Sequence, residues 1–244
     1  MPKQFLLAAA ASSLGALSLG ACQFSADTDN APAIQRAYTV PGFTGLEVAG
    51  PYEVVVHSGP TVAVRASGSE KAIERMKVEV QDGVLTIQSE KKGWNWGWGR
   101  SDAGPVTLDI TVPALTAASI AGSGGISIDK VTGASFKGEI AGSGDLTLTL
   151  VDAGELALSI AGSGGIKAVG KATKVNYEIA GSGDIDAAKL TAQTASVSIA
   201  GSGGIRGHAT GTAAIEIAGS GDVDLTGGAK CSVSKSGSGD VRCS

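Results

Sequence analysis

Few side chains in this sequence have the types and spacing that catalysis or metal binding requires. Only two histidines occur, His57 and His208, and neither has a second histidine or a cysteine at the spacing of a zinc site. The recurring Gly-Ser-Gly motifs lack the strand-to-helix context of a nucleophile elbow, and they repeat too regularly to mark one serine. With a formal net charge of −4 and no basic cluster, the chain gives no reason to expect nucleic acid as a partner. We therefore predict a protein that is not an enzyme and that uses no cofactor.

Acidic residues recur at every second glycine-rich motif. A glutamate precedes and an aspartate follows each of these motifs, which gives the pairs Glu139 and Asp145, Glu178 and Asp184, and Glu216 and Asp222. Carboxylate oxygens in glycine-rich repeats bind calcium in some β-rolls, so these six residues are calcium candidates. The alternative is that the alternation only keeps like charges from stacking on adjacent repeats. We favour that alternative, and hence no metal, because the repeat here is more than twice the period of about nine residues found in such rolls.

All three tryptophans of the chain lie within five residues, at Trp94, Trp96 and Trp98. In an extended segment this spacing places the three indole rings on one side. Such a strip can stack on sugar rings or lie at a membrane interface, which makes it a candidate ligand-binding site. The alternative is a hairpin that covers the side or the end of the fold, and the sequence leaves both interpretations open.

The amino terminus has the signature of an exported lipoprotein. Residues 1–21 combine Lys3, an apolar run and small residues before Cys22, which is typical of a cleaved signal peptide. The sequence Leu-Gly-Ala-Cys resembles a bacterial lipobox, so we predict lipidation of Cys22 and a membrane anchor. Gln23 follows the cysteine, which in a Gram-negative host indicates the outer membrane, with the protein either surface-exposed or facing the periplasm. Residues 22–36 are predicted to form a polar tether.

One internal repeat organises the second half of the sequence. Ala-Gly-Ser-Gly starts at Ala121, Ala141, Ala161, Ala180, Ala200 and Ala218, and a variant Ser-Gly-Ser-Gly starts at Ser236. Apolar residues alternate on both sides of each motif, which indicates a strand, a corner and a second strand. Stacking such coils of 18–20 residues at ~4.8 Å buries one continuous interior. The predicted fold over residues 113–244 is therefore all-β, a right-handed single-stranded parallel β-helix, or β-solenoid.

The last coil contains the two remaining cysteines. Cys231 falls in the inward register of Phe136, and Cys243 falls in that of Ile128. We therefore predict a disulfide between Cys231 and Cys243 that caps the solenoid. Lys235 replaces the isoleucine that precedes the other corners, which agrees with an end of the stack at this coil.

Residues 37–112 are predicted to form a β-rich segment with one short helix. The stretch 40–50 is similar to the stretch that lies 72 positions later in the chain. A helix is predicted over residues 69–76, with Ser67 or Ser69 as its N-cap. The strand candidates lie near 52–57, 61–66, 77–81, 84–89 and 106–112.

Three phrases of the sequence, together with the Gly-Ser-Gly corners, resemble the GIN-domain family of auto-transporter adhesin heads. They are Pro-Gly-Phe-Thr-Gly-Leu-Glu-Val at 41–48, Val-Leu-Thr-Ile-Gln at 84–88 and Val-Pro-Ala-Leu at 112–115. The resemblance covers about residues 38–243. It implies a right-handed β-helix on an exported, surface-associated protein, and it brings no catalytic residues.

These observations lead us to expect a non-enzymatic lipoprotein of the cell envelope. Its β-helix would present a surface for adhesion or for recognition of a glycan or a cell-surface protein. A second interpretation is a carbohydrate-binding or carbohydrate-processing protein that uses the Trp94–Trp98 strip, and a third is a structural component of the envelope without a ligand. The sequence leaves the oligomeric state open.

Overall fold

The computed structural model describes residues 33–90 and 105–244, and within these ranges seventeen β-strands and one short helix form a β-solenoid. In chain order the elements are β1 (Ile34–Tyr38), β2 (Gly45–Ala49), β3 (Tyr52–Ser58), β4 (Ala63–Gly68), α1 (Glu70–Glu74), β5 (Met76–Gln81), β6 (Val84–Ser89), β7 (Val106–Val112), β8 (Ala117–Gly122), β9 (Gly125–Ile128), β10 (Val131–Gly142), β11 (Asp145–Gly162), β12 (Gly165–Gly181), β13 (Asp184–Gly201), β14 (Gly204–Gly219), β15 (Asp222–Thr226), β16 (Lys230–Gly237) and β17 (Val241–Cys243). From β8 onward every pairing is parallel, which confirms the predicted stack of coils. Within the two described ranges no helix is long and apolar enough to cross a membrane.

The glycine-rich corners stack directly on one another. The first glycine of each corner has a positive φ, between 122° and 137°, which side-chain-bearing residues rarely adopt. The second glycine has no room for a side chain, because a Cβ on Gly164 would clash with the carbonyl oxygen of Gly144 on the preceding coil. Backbone hydrogen bonds cross the same gap, from the N–H of Ser163 to the carbonyl of Gly142 at 2.9 Å and from Gly165 to Gly144 at 3.1 Å. Backbone geometry therefore fixes glycine at both positions of the motif.

The interior is built from ladders of like apolar residues. Ile140, Ile160 and Ile179 occupy successive coils in register, and each is at most 2% exposed. No charged side chain is buried anywhere in the described ranges. Each ladder isoleucine contributes about 1.5–3 kcal/mol of burial, so the stack is stabilised by many equal contributions and not by one central cluster.

The segment before the repeat forms further coils of the same solenoid. β2 and β3 lie in parallel on β8 and β9, with Gly45 opposite Ala117 and Glu53 opposite Gly125. Both pairs are separated by 72 positions, which is the offset of the sequence similarity, so the two similar stretches are adjacent coils. β6 and β7 lie on the other side of β2 and β3 and continue the stack by one layer.

Antiparallel strands and the helix close the N-terminal end of the stack. β5 pairs with β6, and β4 pairs with both β1 and β7, all in antiparallel register. The helix α1 joins β4 to β5 and buries Ala72 and Ile73. Ser69, not Ser67, is the N-cap, since its Oγ accepts a hydrogen bond from the N–H of Ala72 at 3.3 Å.

The predicted tether extends too far along the chain. β1 begins at Ile34, so the end of the range 22–36 is a paired strand and not a linker. The prediction rested on the polar composition of this range. An edge strand that leaves one side in solvent has the same composition, which explains the error.

At the C-terminal end a disulfide joins Cys231 to Cys243, which confirms the predicted pairing. Both cysteines lie in the inward register, as expected, because Cys231 is opposite the buried Ala213 and Cys243 is opposite the buried Leu225. Cys231 is half-buried and Cys243 is exposed. No further coil among the described residues covers this end, so the inward register remains open, and Val233 is 49% exposed. The ammonium group of Lys235 donates a hydrogen bond to the carbonyl of Gly239, as suits a lysine at the end of the stack.

Candidate functional site

A shallow groove of about 670 Å³ runs along the strands that follow the corners. We call it the charged groove, and its outward side chains form two columns. The corner column consists of Asp145, Gly165, Asp184, Gly204, Asp222 and Asp240. The outer column consists of Thr147, Lys167, Asp186, Arg206, Asp224 and Arg242. Both columns face outward because they alternate with the inward apolar ladder along each strand.

Aspartate and glycine alternate in the corner column because each aspartate leans over the next coil. The Oδ1 atom of Asp184 accepts a hydrogen bond from the N–H of Gly204 at 3.0 Å, and a Cβ on Gly204 would lie 2.7 Å from that oxygen. Gly165 stands in the same steric relation to Asp145. At the last coil the N–H of Asp240 donates to Oδ1 of Asp222 at 2.9 Å. Steric crowding therefore favours the alternation up to Asp222, in addition to the charge repulsion expected from the sequence, and the alternation ends at Asp240, which keeps its side chain next to Asp222.

Opposite charges alternate along the outer column. Lys167, Asp186, Arg206, Asp224 and Arg242 follow one another in register on five successive coils. Among the residues that the structure describes, the ion pairs lie elsewhere on the surface and none joins these five side chains. These five side chains are exposed or half-exposed, and Oδ1 of Asp186 accepts a hydrogen bond from the N–H of Ala188 at 3.4 Å.

Neighbouring coils can form ion pairs on another side of the solenoid. Lys171 lies 3.4 Å from Asp152, and Lys174 lies 3.1 Å from Glu155 on the adjacent coil. The hydrogen bond and the positive charge of Lys174, with a further hydrogen bond from Asn176, hold the pKa of Glu155 below its ordinary value. Side chains on adjacent coils can thus reach each other and form ion pairs. The spacing of the coils is therefore not the reason that the charges of the outer column form none.

The four central coils of the groove alternate between basic and acidic, whereas the first coil carries Asp145 with Thr147 and the last carries Asp240 with Arg242. The segments 184–186 and 222–224 each carry two carboxylates, and we call them the acidic coils. The segments 165–167 and 204–206 each carry a glycine and one cation, and we call them the basic coils. Since adjacent strands are ~4.8 Å apart, coils of the same kind recur every ~9.6 Å. The groove presents this two-coil period on a rigid backbone.

The six calcium candidates lie on two sides of the corners. Glu139, Glu178 and Glu216 precede their corners, whereas Asp145, Asp184 and Asp222 follow them. Glu139 forms an ion pair with Lys137 at 2.9 Å, so it already has a partner. Within the described part of the chain, no three acidic, histidine or cysteine side chains come together as a metal ion would require.

The two histidines lie in separate polar surroundings. Nε2 of His57 lies 3.6 Å from Oδ2 of Asp109, and Nδ1 lies 3.5 Å from Oδ2 of Asp129. Nδ1 of His208 is hydrogen-bonded to Oγ1 of Thr226 at 2.9 Å. Each histidine is therefore held by oxygen atoms at the surface.

The outer column is a candidate functional feature that the sequence alone did not single out. It occupies the sixth position after the first residue of each corner, which reads Ser127, Thr147, Lys167, Asp186, Arg206, Asp224 and Arg242. The signal is present in the sequence but is hard to recognise, because the side chain changes at every repeat whereas the corners stay constant.

Cys22, Trp94, Trp96 and Trp98 lie outside the described residues. Lipidation of the cysteine and ligand binding by the tryptophan strip therefore stay predictions from the sequence.

Comparison with known proteins connects the chain to one family and to several solved structures. The profile of the family described as "Putative auto-transporter adhesin, head GIN domain" matches residues 42–229. The chain is similar to the structure of a putative adhesin from Bacteroides fragilis, with a TM-score of 0.77 at 22% identity, over 87% of this chain and 97% of that one. It is also similar to a putative lipid binding protein from Parabacteroides distasonis, with a TM-score of 0.71 at 23% identity, over 88% and 98% of the two chains.

A putative adhesin from Parabacteroides distasonis gives a TM-score of 0.67 at 19% identity, over 88% of this chain and 98% of that one. No curated protein matches the chain. At these identities the similarity to the solved structures establishes the solenoid fold.

Proposed function

Because the chain belongs to the family described as putative auto-transporter adhesin, head GIN domain, we propose that it is an exported, lipid-anchored protein of the cell envelope. Its solenoid presents the charged groove for adhesion or recognition, without catalysis. The family name and the adhesins among the similar structures support an adhesion-like role in the envelope. The signal-peptide pattern and the lipobox-like sequence before Cys22 support export and anchoring.

The single observation that carries this proposal is the charged groove. Its side chains are regularly spaced, exposed and, among the described residues, not paired with one another. A rigid array of this kind loses little conformational freedom of the backbone when a partner binds. Exposed charges contribute mainly specificity and fast association, which suits a recognition surface.

The same groove is a poor site for glycan hydrolysis. A glycosidase needs one carboxyl group that stays protonated near neutral pH, and burial in an apolar pocket is the usual way to achieve this. All carboxylates of the groove are exposed or half-exposed, so none lies in such an apolar pocket. The geometry therefore favours binding over processing of a carbohydrate.

Protease shaving and antibody labelling of intact cells test the proposal. We expect the solenoid to be labelled on intact cells and to fractionate with membranes. A Cys22→Ala variant should be exported but released from the membrane, because the predicted anchor is removed. Protection of the solenoid until the outer membrane is broken would contradict surface recognition and favour an internal envelope role.

The tryptophan strip offers a second candidate surface, because all three tryptophans of the chain are concentrated there. A glycan panel separates the two surfaces when a Trp94→Ala, Trp96→Ala, Trp98→Ala variant is compared with an Arg206→Ala variant. Loss of binding only in the tryptophan variant would transfer the recognition function from the charged groove to the strip.

A further inference from the structure

We propose that the charged groove binds a linear, amino-bearing polysaccharide in an extended conformation. Each two-sugar repeat of the ligand would span two coils of the solenoid. This inference rests on the proposed recognition function and names the class of ligand that the groove takes. Charge balance, spacing and hydrogen-bonding capacity of the groove each support it.

The charge balance of the groove favours a cationic ligand. The lining contains six aspartates against two arginines and one lysine. A polyanion would meet a groove of net negative charge, whereas protonated amines would be attracted to it. The cations Lys167, Arg206 and Arg242 nevertheless recur at every second coil. The ligand must therefore present oxygen acceptors between its amines.

The spacing matches a chain of amino sugars. In an extended chain of 1→4-linked amino sugars, alternate units face opposite ways, so one edge presents an amine on every second sugar. The sugar between them presents hydroxyl oxygens on that edge. Two sugar units have a length close to the ~9.6 Å that separates like coils. The amines therefore meet the acidic coils at 184–186 and 222–224, and the hydroxyl oxygens meet the basic coils.

The acidic coils are already arranged to accept hydrogen bonds. Oδ1 of Asp184 is held by the N–H of Gly204 at 3.0 Å, which orients the carboxylate and leaves Oδ2 for a ligand. Oδ1 of Asp222 is held in the same way by the N–H of Asp240 at 2.9 Å. Asp186 stands two residues from Asp184 on the same face of its strand. Each acidic coil can therefore bind one ammonium group with two carboxylates through charge-assisted hydrogen bonds.

The length of the groove sets a limit on the useful length of the ligand. Six coils contribute to the lining, and five spacings of ~4.8 Å give ~24 Å. No aromatic side chain is present among the lining residues, so each sugar is held by exposed polar contacts that are individually weak. Affinity should therefore rise with chain length, through repeated weak contacts, and level off at about six sugars.

Titration calorimetry with defined oligosaccharides tests the inference on the exported chain carrying Cys22→Ser, so that no lipid is attached. The probes are the glucosamine dimer, hexamer and decamer, with the N-acetylglucosamine hexamer as the matched probe without amines. We expect the glucosamine hexamer to bind at least about tenfold more tightly than either its acetylated counterpart or the dimer, and about as tightly as the decamer. Binding should weaken in high salt, because the contacts are exposed.

Two substitutions test whether the ligand binds in the groove. Asp186→Asn and Asp224→Asn each keep the shape of the side chain and remove its charge, and each should weaken hexamer binding by about tenfold. Glu178→Gln is the matched control, since this exposed carboxylate precedes its corner and lies outside the groove. Thermal melts of all three variants should be unchanged, because none of these side chains is buried.

Four results would overturn the inference. They are the absence of hexamer binding, equal binding of the acetylated hexamer, equal loss in Glu178→Gln and Asp186→Asn, and equally tight binding of a lysine hexamer. The last result would assign the groove to cationic chains in general and not to a polysaccharide. None of them affects the labelling of intact cells, so a failure of this inference is distinguishable from a failure of the proposed function.

Discussion

Replacing Tyr177 by phenylalanine should stabilise the protein. The tyrosine ring is 2% exposed in the interior of the solenoid, and its hydroxyl group has no hydrogen-bond partner in the structure. A Cβ on Gly207 would lie 2.7 Å from Cδ2 of Leu225 and 3.5 Å from Cε2 of the tyrosine, so the ring packs beside this glycine. The fold therefore uses the volume of the ring but leaves its hydroxyl group unsatisfied.

The size of the effect follows from the cost of burying an unpaired hydroxyl group. That cost is about 1–3 kcal/mol in proteins, and phenylalanine removes it while keeping the ring. The smaller side chain gives up a few dispersion contacts, so we expect a net gain of about 1–2 kcal/mol in the free energy of unfolding. In a protein of this size that gain corresponds to a rise in Tm of roughly 2–8 °C.

Tyr52 provides the matched control with the opposite sign. It is also buried, at 5% exposure, but its hydroxyl group is hydrogen-bonded to Oγ of Ser89 at 2.6 Å. Tyr52→Phe should therefore lower the free energy of unfolding by about 0.5–1.5 kcal/mol, because it breaks a bond that is made. Denaturant unfolding followed by circular dichroism measures both variants.

The pH dependence of Tyr177→Phe checks the same reasoning independently. Burial raises the pKa of the Tyr177 hydroxyl, so above pH of about 10 the unfolded chain loses this proton while the folded chain keeps it. Folding stability then falls as pH rises, by up to about 1.4 kcal/mol per pH unit from this group. The advantage of phenylalanine should be constant between pH 7 and 9 and should grow above about pH 10. A Tyr177→Phe variant that is less stable than the wild type at pH 7 would refute the argument, because it would mean that the hydroxyl group has a partner.

Three further predictions concern the end of the stack, the corners and metal binding. Reduction of the Cys231–Cys243 disulfide, which spans 12 positions, should lower stability by about 3 kcal/mol and expose the last coil first, and an unchanged melt in strong reductant would contradict the cap. Gly164→Ala should cost more than 2 kcal/mol because its Cβ meets backbone, whereas Gly42→Ala has open space and should be neutral, as thermal melts would show. Calorimetric titration with calcium at about 1 mM should give no heat of binding, since weak extracellular sites would respond at that concentration, and saturable heat would revive the calcium assignment of the corner acids.

The repeat could be predicted from the sequence because backbone geometry fixes it. The first corner glycine is needed for its positive φ, and the second is needed because the backbone of the preceding coil lies too close for a side chain. The recurrence of the two glycines therefore marks every corner. The ladder isoleucines follow from the same register, and so does the pairing of Cys231 with Cys243. The offset of 72 residues was a further structural signal, since Gly45 lies opposite Ala117.

The N-terminal end of the stack was harder to predict, because it breaks the repeat. The caps of β1, β4 and β5 are antiparallel and have no period to recognise. Tyr177 shows a related difficulty inside the core, where its ring stands in register between Leu158 and Val197 of the neighbouring coils. The alternating apolar pattern predicts that this position is buried, but it does not predict which side chain fills it.

The two columns of the charged groove alternate in different ways. In the corner column the carboxylate of Asp184 occupies the place of a side chain on Gly204, whereas Asp240 keeps its side chain next to Asp222, so steric crowding favours glycine without requiring it. Alternation of charge in the outer column has an electrostatic contribution, since opposite charges in register on adjacent strands attract each other even where, as for Lys167 and Asp186, no ion pair forms. Threonine or serine at those positions would satisfy the strand equally well, as Ser127 and Thr147 do on the earlier coils. The fold therefore admits both charged and uncharged side chains in the outer column, and the proposed binding of a partner with the same two-coil period is what would select the charges.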